Sequence, residues 1–282
     1  MKTWSLSRLA GALLLAWGIA NSNADERPAP RRIVSICVQG DQYLLHLVPR
    51  ERILALSQFA ADPDLSAHWK QARDYPLTHG SAEELARLRP DLVLASSFTP
   101  RLPMALLQQH GVRVLELGIP NDFDELREQI RQAGRALGEE ARAEQWIGEM
   151  DTRLARLKAH RPAPEARPTA LFYFQDGFVP GAHTFANALL EAAGFTNLGA
   201  RLNSGVGASA SLEAVLLARP QLLILTRYRA ANPAQSQLST TQPLFDKLKP
   251  QTAVLRVPFR QLASPDPSNL DLAEALQSHL AP

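Results

Sequence analysis

From residue 33 onward, short apolar runs alternate with stretches whose apolar positions are spaced as on one face of a helix. Ile33 to Val38 reads as a strand, Gln42 to Leu47 as a short helix ended by Pro49, and Arg52 to Leu56 as a second strand. Glu83 to Leu88 has helical spacing, and Leu92 to Ala95 follows as a third strand. Pro103 to Gln109 predicts a helix closed by Gly111, before a fourth strand at Val112 to Leu117. Strands alternating with helices predict parallel pairing through right-handed crossovers.

The pattern then changes. Asp122 can cap a helix that runs through Leu126 and Ile130 and breaks at Gly138. From Glu139 to His160, the residues Ala143, Trp146, Ile147, Met150, Leu154 and Leu157 keep helical spacing. About 20 helical residues make a rod roughly 30 Å long. Arg161 to Pro168 reads as a linker, and the first pattern resumes. Thr169 to Phe174 is a strand, Thr184 to Ala193 a helix closed by Gly194, and Leu212 to Leu217 a helix. Leu222 to Leu225 is a further strand, and Asn269 to Leu280 a last helix.

One segment occurs twice. Glu83-Glu84-Leu85-Ala86-Arg87-Leu88-Arg89-Pro90 leads into Asp91-Leu92-Val93-Leu94, and Glu213-Ala214-Val215-Leu216-Leu217-Ala218-Arg219-Pro220 leads into Gln221-Leu222-Leu223-Ile224-Leu225. In both, a proline stops a short helix and an apolar run reads as a buried parallel strand. The copies lie 213 − 83 = 130 residues apart, too far for a solenoid repeat, so they predict two similar lobes. The expected fold is α/β: two lobes with mostly parallel sheets, joined by one long bridging helix, with a ligand cleft between them. Residues 25–138 form the expected N-terminal lobe, 139–166 the bridging helix and linker, and 167–282 the C-terminal lobe. A stiff bridging helix predicts a modest opening angle.

Composition removes several function classes. The first 24 residues carry Lys2 and Arg8, an apolar run from Leu9 to Ile19, and Ser22-Asn23-Ala24 before Asp25. This reads as a secretory signal peptide cleaved after Ala24. Without it, the 30 basic residues become 28, against 28 acidic ones, so the remaining chain is near neutrality. Nothing in that balance points to nucleic acid. The single cysteine, Cys37, cannot form an intramolecular disulfide and lies too far from the cleavage site to carry a lipid. It is expected as a small apolar residue at a strand end, with a thiol ligand at the cleft mouth as the alternative.

The chain resembles the periplasmic substrate-binding proteins of ABC importers for vitamin B12, ferric siderophores and haem. The resemblance rests on Arg32-Ile33-Val34-Ser35, on Glu83 to Leu94, on Gly111-Val112-Arg113-Val114, and on Thr184 to Leu198, in that order around the long helix. It implies a soluble periplasmic receptor that captures a metal chelate and delivers it to a permease dimer with its ATPase subunits. A TonB-dependent outer-membrane receptor would supply the chelate, and the protein would work as a monomer without a cofactor or resident metal. It further implies that one Glu on each lobe pairs with permease arginines; the matching positions are Glu83 and Glu213. First-turn acids also complement a helix dipole, and the two roles are compatible.

Ligand contacts are expected on loops after the C-terminal ends of the strands. In the first lobe these are Gln39, Asp41, Gln42, Gln58, Phe59, Ser97, Phe98 and Arg101, with Ser57, Ser96 and Thr99 beside them. In the second they are Tyr173, Gln175, Phe178, Arg227 and Tyr228, with Asp176 and 203–209 beside them. Arg and Tyr suit an anionic chelate, and Phe59, Phe98 and Phe178 a flat macrocycle. Only Trp69 and Trp146 remain after signal cleavage, which argues against an aromatic-rich corrinoid cleft. A bare-ion receptor would need clustered ligands, and the seven histidines are scattered, with His79 and His183 as the ones that could reach the cleft. A hydrolase on the same fold is the remaining alternative, but neither a Gly-x-Ser-x-Gly elbow nor a His-Glu-x-x-His motif is present.

Overall fold

The computed structural model describes residues 28–99, 105, 107–109, 111–174, 177–202, 205–227 and 252–280. Two separate sheets form, one on each side of a long helix. The first contains β1 (Ile33–Ser35), β2 (Ile53–Ser57), β3 (Leu77–Thr78), β4 (Leu92–Ser96) and β5 (Arg113–Leu117), in the order β3-β2-β1-β4-β5, all parallel. The second contains β6 (Thr169–Tyr173), β8 (Thr196–Asn197), β10 (Leu222–Arg227) and β11 (Ala253–Pro258), in the order β11-β10-β6-β8, also parallel. Between β6 and β10, β7 (Phe178–Pro180) and β9 (Gly207–Ser209) pair antiparallel as a small ribbon. The repeating strand-helix pattern gave no sign of that ribbon.

Several helices are capped by the residue types that the capping rules favour. Asp122 Oδ1 accepts from the backbone N–H groups of Asp124 and Glu125, opening the helix Phe123–Leu137. Gly138 closes it at φ 68°, a left-handed conformation suited to glycine. The bridging helix then runs from Glu140 to Ala159. Arg142 Nη1 donates to Leu47 O of the first lobe. Arg153 donates to Asp271 and Glu274 of the second, and Gln277 Nε2 donates to Leu157 O. Thr184 Oγ1 caps the helix Phe185–Ala193, which ends at Gly194. Residues 105 and 107–109 are helical, within the expected 103–109 segment.

Two expectations shift at the N-terminal end. The first strand ends at Ser35, and the helix after it begins at Val38, four residues earlier than its apolar stripe suggests. The cause is Cys37. Its Sγ accepts from Gly40 N at 3.3 Å and serves as the cap, a role for which serine or aspartate is the usual signal. The last helix, Leu270–Gln277, is preceded by a 3-10 turn at Pro267–Asn269.

One continuous apolar core joins the two sheets. It runs from Ile33, Leu92 and Leu117 through Trp146, Ile147 and Met150 of the bridging helix to Phe172, Leu189 and Ile224. Phe123 and Phe185, from opposite lobes, meet edge to face with ring centroids 5.0 Å apart.

Candidate functional site

In a parallel sheet, ligands gather beyond the strand C-termini where the strand order reverses. In the first sheet that place lies beside β1 and β4, and in the second beside β6 and β10. A cavity of about 380 Å³ occupies it, walled by both lobes. The first lobe contributes Cys37, Val38 and Gln39 after β1, Ser96 and Phe98 at the end of β4, and Ile119 after β5. The second contributes Phe174 after β6, Phe178 and Pro180 from the ribbon, Thr184 to Ala186 at a helix start, and Leu262 to Pro265 after β11.

The wall is mainly apolar and aromatic. Phe174 lies 5.9 Å from Phe178 and 6.2 Å, edge-on, from Phe259, centroid to centroid. Phe98 is 77% exposed and Ile119 is also exposed, so both present open apolar faces to the space between the lobes. Polar groups are few. Gln39 is positioned by Gln129, whose Oε1 accepts from Gln39 Nε2 at 2.8 Å and from Tyr43 Oη at 3.2 Å, while its Nε2 donates to Gly118 O. Burial pushes the Cys37 thiol up to about 12, so it stays protonated at neutral pH.

The candidate contacts fall into three groups. Gln39, Phe98 and Phe178 line the cavity, as does Ser96. Ser97 lines a neighbouring depression with Thr99 and Glu116, Gln58 and Phe59 lie on the exposed loop after β2, and Tyr173 is buried with its Oη 3.4 Å from Ala210 O. Arg101, Gln175, Asp176 and Tyr228 lie outside the described residues, and Arg227 is described only as the last residue of β10.

Asp41 and Gln42 do not face the cavity. Because the helix starts at Val38, both sit inside it and are wholly buried. Asp41 accepts from Ser57 N at 2.8 Å and from Ser57 Oγ at 2.6 Å, which ties the helix to β2. Burial raises its carboxyl to about 6, against the lowering effect of those bonds. Sequence reasoning missed Phe174, Phe185 and the stretch Leu262 to Pro265. The signal for the last was the apolar run Ala253-Val254-Leu255, which begins β11 and after which a strand-end loop follows.

Glu83 and Glu213 occupy matching exposed places. Ser81 Oγ accepts from Glu84 N, and Ser211 Oγ accepts from Ala214 N, at the same 130-residue offset. Leu85 and Val215 are buried beneath them. The neighbouring Glu84 is engaged locally, accepting from Thr78 Oγ1 and His79 N. Among the described residues no group of three or more His, Cys, Asp or Glu could hold a metal ion. Among them, too, no helix is long and apolar enough to cross a membrane.

The sequence model of the periplasmic binding protein family matches residues 61–253, more than half of the chain. The chain belongs to the periplasmic binding protein family. This periplasmic binding protein is 27% identical, over 199 residues, to a cobalamin-binding protein of Halobacterium salinarum; the match covers 70% of the chain. The chain spans only about half, 54%, of that relative's length. It superposes on a periplasmic heme binding protein from Pseudomonas aeruginosa with a TM-score of 0.71 and 20% identity, covering 89% of this chain and 92% of the other. A periplasmic vitamin B12 binding protein of Vibrio cholerae superposes with a TM-score of 0.65 and 18% identity, covering 89% and 97%. Both share the fold of this chain. In this periplasmic binding protein the aromatic wall consists of Phe98, Phe174, Phe178 and Phe185, of which Phe98 and Phe178 are expected from the sequence.

Proposed function

We propose that this protein is the receptor of an ABC importer, capturing a metal chelate between its lobes and delivering it to a membrane permease. The observation that carries this reading is the apolar, phenylalanine-walled cavity at the strand ends of both sheets. A large ligand with flat apolar faces gains most from such a wall, since burying aromatic and aliphatic surface drives its binding. A corrinoid stands first because the Halobacterium relative is said to bind cobalamin, with haem and ferric siderophores as the other chelates. The chelate is cargo, and the protein carries no catalytic role in this reading.

The remaining parts follow. Residues 1–24 direct export and are removed near Ala24, leaving a soluble periplasmic monomer with lobes at 25–138 and 167–282. A TonB-dependent outer-membrane receptor supplies the chelate. Glu83 and Glu213 dock on arginines of the permease dimer, which works with its ATPase subunits, as a two-point clamp that sets register.

Equilibrium dialysis against cyanocobalamin, haemin and ferrichrome tests the cargo. Saturable binding of one at micromolar or tighter affinity is expected, and silence toward all three would sink the receptor reading. For docking, the variant Glu83→Lys with Glu213→Lys should keep chelate affinity within about twofold and abolish uptake by cells. Normal uptake by that variant would remove the docking assignment.

A further inference from the structure

The cavity wall of the second lobe ends at Pro265, and the next residue is an unusual carboxylate. Asp266 is 0% exposed. Its Oδ1 accepts from Ser268 N and caps the 3-10 turn after it. Its Oδ2 has no hydrogen-bond partner among the described residues. A carboxylate buried in this way needs a positive partner. The basic group that faces it comes from the opposite lobe: His68 Nε2, 3.5 Å from Oδ2. Nearby, Arg260 Nη1 donates to Pro63 O, so the loop before His68 is tied across the cleft at a second point.

Titratable groups from three elements surround His68 and Asp266. From the first lobe come Tyr43 and His46, the latter stacked on Trp146 at 4.1 Å with one face exposed. From the bridging helix come Glu149 and Arg153, and from the second lobe Asp266 and Asp271. Arg153 is already paired with Asp271 and Glu274, and Glu149 accepts from Gln145 Nε2. His46, His68, Glu149, Arg153 and Asp271 line a cavity of about 260 Å³ at this junction.

We propose that His68 and Asp266 form a proton-dependent latch between the lobes, which holds the cavity wall Leu262–Pro265 against the first lobe while His68 is protonated. Burial pulls His68 down, but the Asp266 contact, with Asp271 beyond it, outweighs burial and leaves it above its ordinary 6.5. Burial and the neighbouring His68 push His46 below 6.5. With His68 raised and His46 lowered, the first proton taken by the pair goes to His68. A histidine raised in the folded state adds stability that is complete below about pH 6.5 and disappears as pH rises through its own value. Well below pH 6.5, a second proton on His46 opposes the first. The latch is strongest between these limits and opens on the alkaline side.

What the latch regulates rests on the receptor reading; the latch itself does not. The test uses the full chain, as processed by the expressing cell, without any chelate. His68 should titrate by NMR above 6.5 in the wild type and at or below 6.5 in Asp266→Asn. Amide protection at 262–264 and 266, corrected for intrinsic exchange, should fall roughly threefold or more from pH 6 to pH 9. His68→Gln should flatten that dependence. It retains a polar, partly exposed side chain, so it serves if Asp266→Asn loses its cap and unfolds. A wild-type His68 midpoint at or below 6.5, or the same pH dependence in His68→Gln, overturns the latch. Failure to bind any chelate would overturn the receptor reading alone.

Discussion

At Asp41 the fold encloses a carboxylate completely and gives it two donors, both from Ser57. Burial outweighs the donors, so the group binds its proton more tightly than in the unfolded chain, near 6 against an ordinary 3.8. A carboxyl raised in the folded state adds stability that is present below its unfolded value and lost as pH rises through about 6. Relative to Asp41→Asn, the wild type should therefore gain up to about 3 kcal/mol as pH falls from 7.5 to 4. Urea unfolding of both proteins across that range checks it, and parallel curves would contradict it. Gly40, beside it, is required by space. A Cβ there would meet Ser35 Oγ at 2.6 Å and Leu94 Cβ at 2.9 Å, with side chains packed on all sides.

At the scale of elements, the repeated segment is repeated down to its backbone strain. Among the described residues, the only non-glycine residues with positive φ are Arg89 at 47° and Arg219 at 46°, again 130 positions apart. Each stands between a short helix and a proline that forbids its continuation. The chain needs a sharp left-handed turn to enter the next strand directly. That conformation costs an L-residue about 1 kcal/mol, partly offset in glycine by its freer unfolded chain. Arg89→Gly and Arg219→Gly should each raise stability by about 0.5 to 1 kcal/mol in urea unfolding, a gain where glycine usually weakens a structure. A loss at either site would mean that the arginine side chain supports the turn.

The whole molecule is two sheets that share one continuous core, with a smaller apolar cluster on the other face of each. The bridging helix contributes Trp146, Ile147 and Met150 to that core, and Trp146 packs edge-on against Tyr43 at 5.5 Å. The helix before it approaches so closely that a Cβ on Gly134 would lie 2.6 Å from Ala143 Cβ. Chains of this length often unfold lobe by lobe, but a shared core opposes that here. Thermal unfolding should show a single transition. Trp146→Ala should lower it for both lobes together, at a cost of about 3 to 5 kcal/mol. Hydrogen exchange of β4 and β10 amides would report the two lobes separately, and distinct opening free energies would refute the shared core.

Local rules carried much of this protein in the sequence. Proline and glycine stops and capping residues such as Asp122 and Thr184 marked the element ends, because each is set by interactions within a few residues, and the 130-residue repeat marked the two lobes. The strand-end rule also placed Gln39, Phe98 and Phe178 near the cavity. Tertiary structure decided the rest. A cysteine cap, which no capping rule favours, moved a helix start by four residues and turned Asp41 and Gln42 inward. The ribbon of β7 and β9, the meeting of Phe123 with Phe185, and the pairing of His68 with Asp266 all join residues far apart in the chain. Periodicity reports which face of an element is apolar, and it is silent on which distant face that element meets.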